Sequence, residues 1–155
     1  MNSDIIPATT ERVLQHTDEE INERISRRIE ANVNFYATQD PRTLDIRLQE
    51  LDQEWDIERV LEANAAAVSL IGLALGRLVS RRWYLLPTAV AGFLFQHAIQ
   101  GWCPPINLFR RLGIRTAQEI DYERYALKAL RGDFSRVEQE NSPSAQEALH
   151  AVHDP

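Results

Sequence analysis

The chain has 155 residues, a net charge of −6 and one cysteine. This length suits one domain, and the negative charge argues against nucleic-acid binding, because phosphate binding needs a basic face. A single cysteine excludes an internal disulfide and any zinc or iron–sulfur site built from several cysteines. We therefore expect no cofactor and no metal.

The charge is unevenly distributed along the chain. Residues 1–60 carry a net charge of −7 and residues 119–155 carry −4, whereas residues 61–118 carry +5 with Glu62 as their one acid. The pattern predicts three consecutive regions: an acidic helical region over 1–56, an apolar region over 57–116, and a C-terminal helix with a mobile tail over 117–155.

Two amphipathic helices are predicted in the first region. The first begins after Thr17, which has the capping-box spacing to Glu20, and ends near Ala37. The second begins at Asp40-Pro41, a typical helix start. Apolar stripes run along both, with Ile21, Ile25, Ile29 and Val33 on the first and Leu44, Leu48, Leu51 and Trp55 on the second. The stripes favour soluble packing over membrane-surface binding, because the polar faces are acidic and anionic lipids would repel them.

Two apolar runs of about 20 residues follow, over 60–79 and 83–102. Each has the length that a helix needs to cross about 30 Å of hydrocarbon. Trp83 and Trp102 flank the second run, as aromatic residues do at membrane interfaces. The runs predict a two-helix membrane hairpin in an all-α fold. The alternative is a buried hairpin in a soluble helical bundle, because Pro87 interrupts the second run.

Small residues on both runs suit close helix packing. Gly72 and Gly76 lie one helical turn apart on the first run, and Ala91 and Gly92 lie on the second. Within lipid, helices associate through small residues that let the backbones approach. We therefore expect these four residues at the helix–helix contact.

A second turn follows at Cys103-Pro104-Pro105. The prolines cannot continue a helix but suit the first turn of a new one, which we predict over 105–112 with Gly113 as its stop. We expect this short helix to lie on the membrane surface, with Arg110 and Arg111 toward lipid phosphates.

Cys103 is the candidate nucleophile. If the hairpin turns near Arg81, Glu62 lies at the depth of Gln100 and comes close to His97. His97 could then act as a base toward Cys103, and Glu62 could orient it. The alternatives are a purely structural Glu62–His97 pair and an inert cysteine. Both are favoured, the pair because such pairs often have only structural roles, and the inert cysteine because no base is adjacent to Cys103 in the sequence.

Gly101, Cys103 and Pro104, followed by Leu112 and Gly113, resemble a motif of the YgaP-like transmembrane domain family. This is a set of small bacterial inner-membrane helical hairpins, catalogued as a domain of unknown function. The resemblance covers roughly residues 57–116. Some members carry a rhodanese sulfurtransferase domain, for which this chain has neither the α/β pattern nor a second cysteine. The resemblance implies location in the bacterial inner membrane and a hairpin topology.

The last region predicts one more helix. Thr116 and Glu119 have capping-box spacing, and Gly132 is a suitable stop. His150 and His153 in the tail supply too few ligands for a metal site.

Orientation follows from the basic residues that flank the hairpin. The terminal side carries five arginines, Arg47, Arg59, Arg110, Arg111 and Arg115, against three at the turn, Arg77, Arg81 and Arg82. The count predicts cytoplasmic termini. The first residues lack the pattern of a secretory signal peptide, which agrees with that orientation.

Two functions remain. The favoured one is a non-enzymatic integral membrane accessory or scaffold protein, which contacts the lipid bilayer and docks a protein partner, or a second copy of itself, through its acidic helices. The alternative is a membrane thiol carrier or a sulfur- or redox-handling protein that uses Cys103.

Overall fold

The computed structural model describes residues 8–135 and Val152. These residues form helices and turns and no strand, which confirms the all-α prediction. The predicted mobile tail, with His150 and His153, lies outside them apart from Val152. In chain order the helices are α1 (Arg12–Gln15), α2 (Glu19–Tyr36), α3 (Pro41–Gln53), α4 (Ile57–Leu78), a 3-10 helix (Arg81–Tyr84), α5 (Leu85–Gln100), α6 (Ile106–Arg111) and α7 (Ala117–Arg131).

Acidic residues begin two of the long helices. The Asp40 carboxylate accepts hydrogen bonds from the backbone N–H groups of Arg42 and Thr43 at 3.0 and 3.2 Å, as the Asp-Pro pair predicts. Asp56 accepts from the backbone N–H of Arg59 at 2.7 Å. Each carboxylate satisfies N–H groups that have no partner within the helix, so α4 begins three residues before the predicted apolar run.

Three helices end at a glycine in the left-handed region. Gly101, Gly113 and Gly132 have φ angles of 78°, 85° and 92° and follow α5, α6 and α7. The predicted stops at Gly113 and Gly132 are thus confirmed. Glycine reaches this conformation without the steric cost that a Cβ brings.

The helices divide into two compact units. Unit 1 contains the described residues up to Ile25 together with Trp55–Ala117, and unit 2 contains Ser26–Glu54 together with the described residues from Gln118 onward. The breaks at 54/55 and 117/118 lie close to the predicted region boundaries. In contrast, the N-terminal region is divided between the two units, because the break at 25/26 falls inside α2.

Unit 1 is built on the helical hairpin of α4 and α5. Gly76 lies beside Tyr84, Gly72 beside Pro87, and Glu58 beside His97, so the two helices run antiparallel. The end of the hairpin away from the turn, its base, forms an apolar core together with α1 and α6. Its buried members are Val13, Ile57, Leu61, Cys103 and Ile106.

Unit 2 packs α3 and α7 with the C-terminal part of α2. Its buried core contains Leu48, Leu51, Ile120 and Leu127, with Val33 and Tyr36 against it. The predicted stripe of α3 is confirmed for its three leucines, which are buried. It is wrong for Trp55, because α3 ends at Gln53 and the Trp55 ring lies against the Arg59 guanidinium instead.

Arginines pair with many of the carboxylates of unit 2. Arg47 lies 2.9 Å from the fully buried Glu123, and the salt bridges Arg124–Asp52 and Arg131–Asp45 measure 3.0 and 2.8 Å. A hydrogen bond to Asp133 raises the pKa of the Arg131 guanidinium, although burial opposes the shift. These carboxylates therefore stabilise contacts within unit 2.

One helical stretch among the described residues, Pro41–Leu78, is long and apolar enough to cross a membrane. It includes α4, and only 17% of its most apolar window is buried. A core helix of a soluble protein would be mostly buried. α5 has 16 residues, which is below the usual length of a membrane span. The two-span membrane hairpin thus stays a prediction.

Candidate functional site

Cys103 lies in the turn between α5 and α6, where its side chain is 3% exposed. Gly101 ends α5 and reverses the chain, and the Cys103 carbonyl accepts a hydrogen bond from the N–H of Ile106 at 3.1 Å. The short helix α6 therefore begins just after the two prolines, close to its predicted start. The thiol belongs to the apolar core of unit 1.

His97 connects the thiol to a carboxylate. Its Nε2 lies 2.8 Å from Oε2 of Glu58, and the residue is 4% exposed. Because a carboxylate only accepts hydrogen bonds, Nε2 carries the hydrogen. The Cys103 side chain interacts with the same imidazole, but no atom in the described part of the chain completes a hydrogen bond to Nδ1. Glu58, His97 and Cys103 thus follow one another as carboxylate, imidazole and thiol, the order of groups that an activated nucleophile needs.

Arg12 supports this arrangement from α1. Its Nη2 donates to Oε1 of Glu58 at 2.8 Å, and its Nη1 donates to the carbonyl of Ala98 at 3.1 Å. The Glu58 carboxylate is therefore held by a cation on one oxygen and by the imidazole on the other. This double contact fixes the position of Glu58 and, through it, the plane of the His97 ring.

An apolar cavity of about 170 Å³ lies beside Cys103. Its walls come from α4, α5 and the start of α6, and they include Leu61, Ala65, Val68, Val90, Phe93, Leu94 and Phe109. Asn64 is the one amide on the wall, and its Nδ2 donates to the Val60 carbonyl at 3.3 Å. The thiol thus faces a space that is almost entirely hydrocarbon.

The prediction that Glu62 orients His97 is wrong. Glu62 is exposed, and Glu58, one helical turn earlier, makes the contact instead. The assumed turn near Arg81 matched the residues of α4 and α5 incorrectly. In the structure, Gly76 contacts Tyr84 and Gly72 contacts Pro87. Each α5 residue therefore lies opposite an α4 residue that is closer to the start of α4 than the prediction assumed.

The two glycines of α4 are buried at the contact between α4 and α5, whereas the small residues predicted there on α5 are not. Gly72 and Gly76 are buried, and a Cβ added to them would come within 2.7 Å of Pro87 and of the Tyr84 ring, respectively. Ala91 and Gly92, expected at the same contact, are exposed, and a Cβ at Gly92 would meet nothing within 4 Å. The expectation is therefore wrong for α5, which turns larger residues toward α4.

The four residues predicted at the membrane interface are not all exposed. Arg110 is fully buried and donates to the carbonyl of Ile114 at 3.2 Å and to Oδ1 of Asn22 at 2.9 Å. It therefore holds α6 to α2 within unit 1 and does not face lipid phosphates, contrary to the prediction. Arg111 is exposed, Trp83 is exposed beside the hairpin turn, and Trp102 is half-buried.

Sequence reasoning missed Glu58 and Arg12. Glu58 lies two residues before the predicted apolar run, but recognition of Asp56 as a helix cap would have placed it in the first turn of α4. Arg12 is separated from Glu58 by 46 positions, and no local pattern marks such a contact.

No family model, curated protein or solved structure matches the chain. The resemblance to the YgaP-like transmembrane domain family thus stays a prediction.

Proposed function

We propose that the protein is a non-enzymatic accessory protein of the bacterial inner membrane, with the α4–α5 hairpin in the bilayer and a surface for a protein partner on unit 2. The observation that supports membrane insertion is the exposed apolar surface of the hairpin. Leu70 and Leu78 of α4 are 67% and 79% exposed, and Leu85 and Phe95 of α5 are 72% and 70% exposed. Large apolar side chains that are exposed together on one hairpin are typical of a membrane or protein contact.

The lengths of the helices suit this location. α4 has 22 residues, which corresponds to about 33 Å. The 3-10 helix and α5, which alone is shorter than a usual span, follow one another over Arg81–Gln100 and together cover about 32 Å. Both values are close to the hydrocarbon thickness of about 30 Å. Pro87 fits because it stands in the first turn of α5, where its missing N–H costs little.

Polar groups mark the two ends of the hairpin. Arg81, Arg82 and Trp83 are exposed beside the turn, where arginine and tryptophan suit a membrane interface. Glu58 and His97 pair at the other end. The excess of arginines on the terminal side favours cytoplasmic termini.

Unit 2 supplies the proposed partner surface. Ile46, Tyr122 and Leu130 are exposed on it, and large apolar residues of this type are typical of protein interfaces. Because arginines within the unit pair with several carboxylates, docking would use a mixed apolar and charged surface. A second copy of the chain is an alternative occupant.

Membrane fractionation tests the proposal. The protein should stay in the membrane pellet after an alkaline carbonate wash and enter solution only with detergent. Leu70→Glu combined with Phe95→Glu should reduce the share in the pellet, because a charge within hydrocarbon is costly. Ile46→Glu on α3 is the matched control and should leave the share unchanged. Release of the unaltered protein by carbonate would contradict membrane insertion.

The Glu58–His97–Cys103 arrangement favours a second candidate function, that of a membrane thiol protein. If His97 takes the thiol proton, His97→Ala should slow the alkylation of Cys103 by a small thiol reagent in the folded protein. Slow labelling that does not respond to His97→Ala would leave Cys103 as a core residue only.

A further inference from the structure

We propose that Cys103 accepts an acyl group from an apolar thioester, and that the cavity beside it holds the first carbons of the chain. The inference rests on the second candidate function, a nucleophilic Cys103, and assigns its substrate class. Three independent features support it: the base beside the thiol, the apolar lining of the cavity, and the continuity of that lining with the exposed surface of the hairpin.

The base is already oriented. Glu58 lies 2.8 Å from Nε2 of His97 and fixes the ring, so Nδ1 is the nitrogen that remains for a contact with the thiol. That nitrogen is buried, and no described atom completes a hydrogen bond to it, although the Cys103 side chain interacts with the ring. Buried polar atoms in folded proteins nearly always have a partner, and the Cys103 thiol is the group beside this ring that can supply one. Proton exchange between the thiol and the imidazole would use that contact.

The cavity selects an apolar substrate. An apolar cavity of about 150 Å³ can hold benzene, so the 170 Å³ beside Cys103 can hold an alkyl segment of about six carbons. Apart from Asn64, its lining is hydrocarbon and the thiol itself. A polar disulfide or persulfide would lose its hydrogen bonds to water there without replacement.

The cavity also continues onto the surface of the hairpin. Phe93 lines it and is 43% exposed, so its ring belongs both to the wall and to the exposed apolar face of α5. A chain that is longer than the cavity can therefore leave beside the exposed part of Phe93.

The transfer step balances without a further reactant. Nδ1 of His97 takes the proton from Cys103, and the thiolate attacks the carbonyl carbon of the substrate thioester. A new bond forms between Sγ and this carbon while the bond to the leaving sulfur breaks. The leaving thiolate takes the proton back from His97. The products are an S-acylated Cys103 and a free thiol, with no change of oxidation state.

Acylation of the full chain in lipid nanodiscs tests the proposal. The probes are the acetyl, butanoyl, hexanoyl and octanoyl thioesters of N-acetylcysteamine, and intact mass with reversal by hydroxylamine reports the modification of Cys103. Each methylene that enters the cavity should raise the rate about fourfold. The increase should level off near the hexanoyl chain, because the cavity is then filled.

Matched variants separate the cavity from the base. Ala65→Phe fills the cavity and should lower the hexanoyl rate to the acetyl rate, whereas Ala67→Phe, at an exposed position outside the cavity, should leave the chain-length profile unchanged. His97→Asn should lower the rates of all four thioesters by a similar factor, because it removes the base and leaves the cavity.

Three results would overturn the inference. Equal rates for all chain lengths in the unaltered protein would exclude the cavity as the chain site, whether or not the variants fold. Equal effects of Ala65→Phe and Ala67→Phe would do the same. If a small alkylating agent modifies Cys103 in a His97-dependent way but no thioester does, the thiol function stands and the acyl substrate is excluded.

Discussion

The two units bury their apolar residues to very different extents. In unit 2 the leucines of α3 are buried and the exposed surface is rich in paired charges. In unit 1, α4 leaves most of its apolar window exposed, and the buried residues gather at the base of the hairpin. The burial of the apolar residues in unit 2 is what is expected of a protein surrounded by water. The apolar surface of α4 and α5 needs another apolar environment, which in the proposed location is the bilayer.

The largest expected effect contrasts a buried leucine with an exposed one. Leu51→Ala in unit 2 should lower the free energy of unfolding by about 2–5 kcal/mol, because Leu51 is 1% exposed and the change leaves a cavity. Leu70→Ala on α4 should change it by less than about 0.5 kcal/mol. Denaturant unfolding in mild detergent measures both. Equal losses would mean that Leu70 is buried in solution by another chain or by a rearrangement.

Two glycines with positive φ give the next contrast. Alanine at Gly101 of unit 1 would place its Cβ 2.5 Å from the backbone oxygen of Arg12, whereas at Gly132 of unit 2 it would meet nothing within 4 Å. Left-handed strain alone costs about 1–2 kcal/mol. Gly132→Ala should show that loss only, and Gly101→Ala should exceed it by about 1–3 kcal/mol. Thermal unfolding compares the two, and similar losses would show that α1 moves aside easily.

A smaller effect distinguishes the two faces of the hairpin. Gly72→Leu should destabilise the α4–α5 contact by about 1–3 kcal/mol, because even its Cβ comes within 2.7 Å of Pro87. Gly92→Leu on the exposed side of α5 is the matched control and should have little effect. Resistance to heat in detergent reports the difference. If only Gly92→Leu is damaging, the exposed side of α5 is the contact between copies.

The sequence predicts the helices well where caps and periodicity act together. Asp40-Pro41 and the leucines that follow identify α3 and its buried face, and Gly113 and Gly132 identify two helix ends. These signals are local, because each needs only a few neighbouring residues.

The site was harder to predict, because its residues lie on different helices. Which of them come into contact depends on which residues of α4 and α5 lie opposite each other. A shift of one turn exchanges Glu62 for Glu58, and both lie on the same side of α4. Arg110 has the appearance of a surface residue in the sequence, but Asn22 and the Ile114 carbonyl satisfy it in the core. Periodicity was also uninformative in α5, where apolar residues occur on all sides.

The central claim is that the exposed surface of the hairpin lies in lipid, whereas that of unit 2 lies in water. Nitroxide labels at Leu70→Cys and at Ile46→Cys, each in a Cys103→Ser background, compare two exposed apolar positions of α4 and α3. In lipid vesicles, the label at position 70 should relax faster with apolar oxygen than with a water-soluble nickel chelate, and the label at position 46 should show the reverse. Equal access of the nickel chelate to both labels would contradict the account.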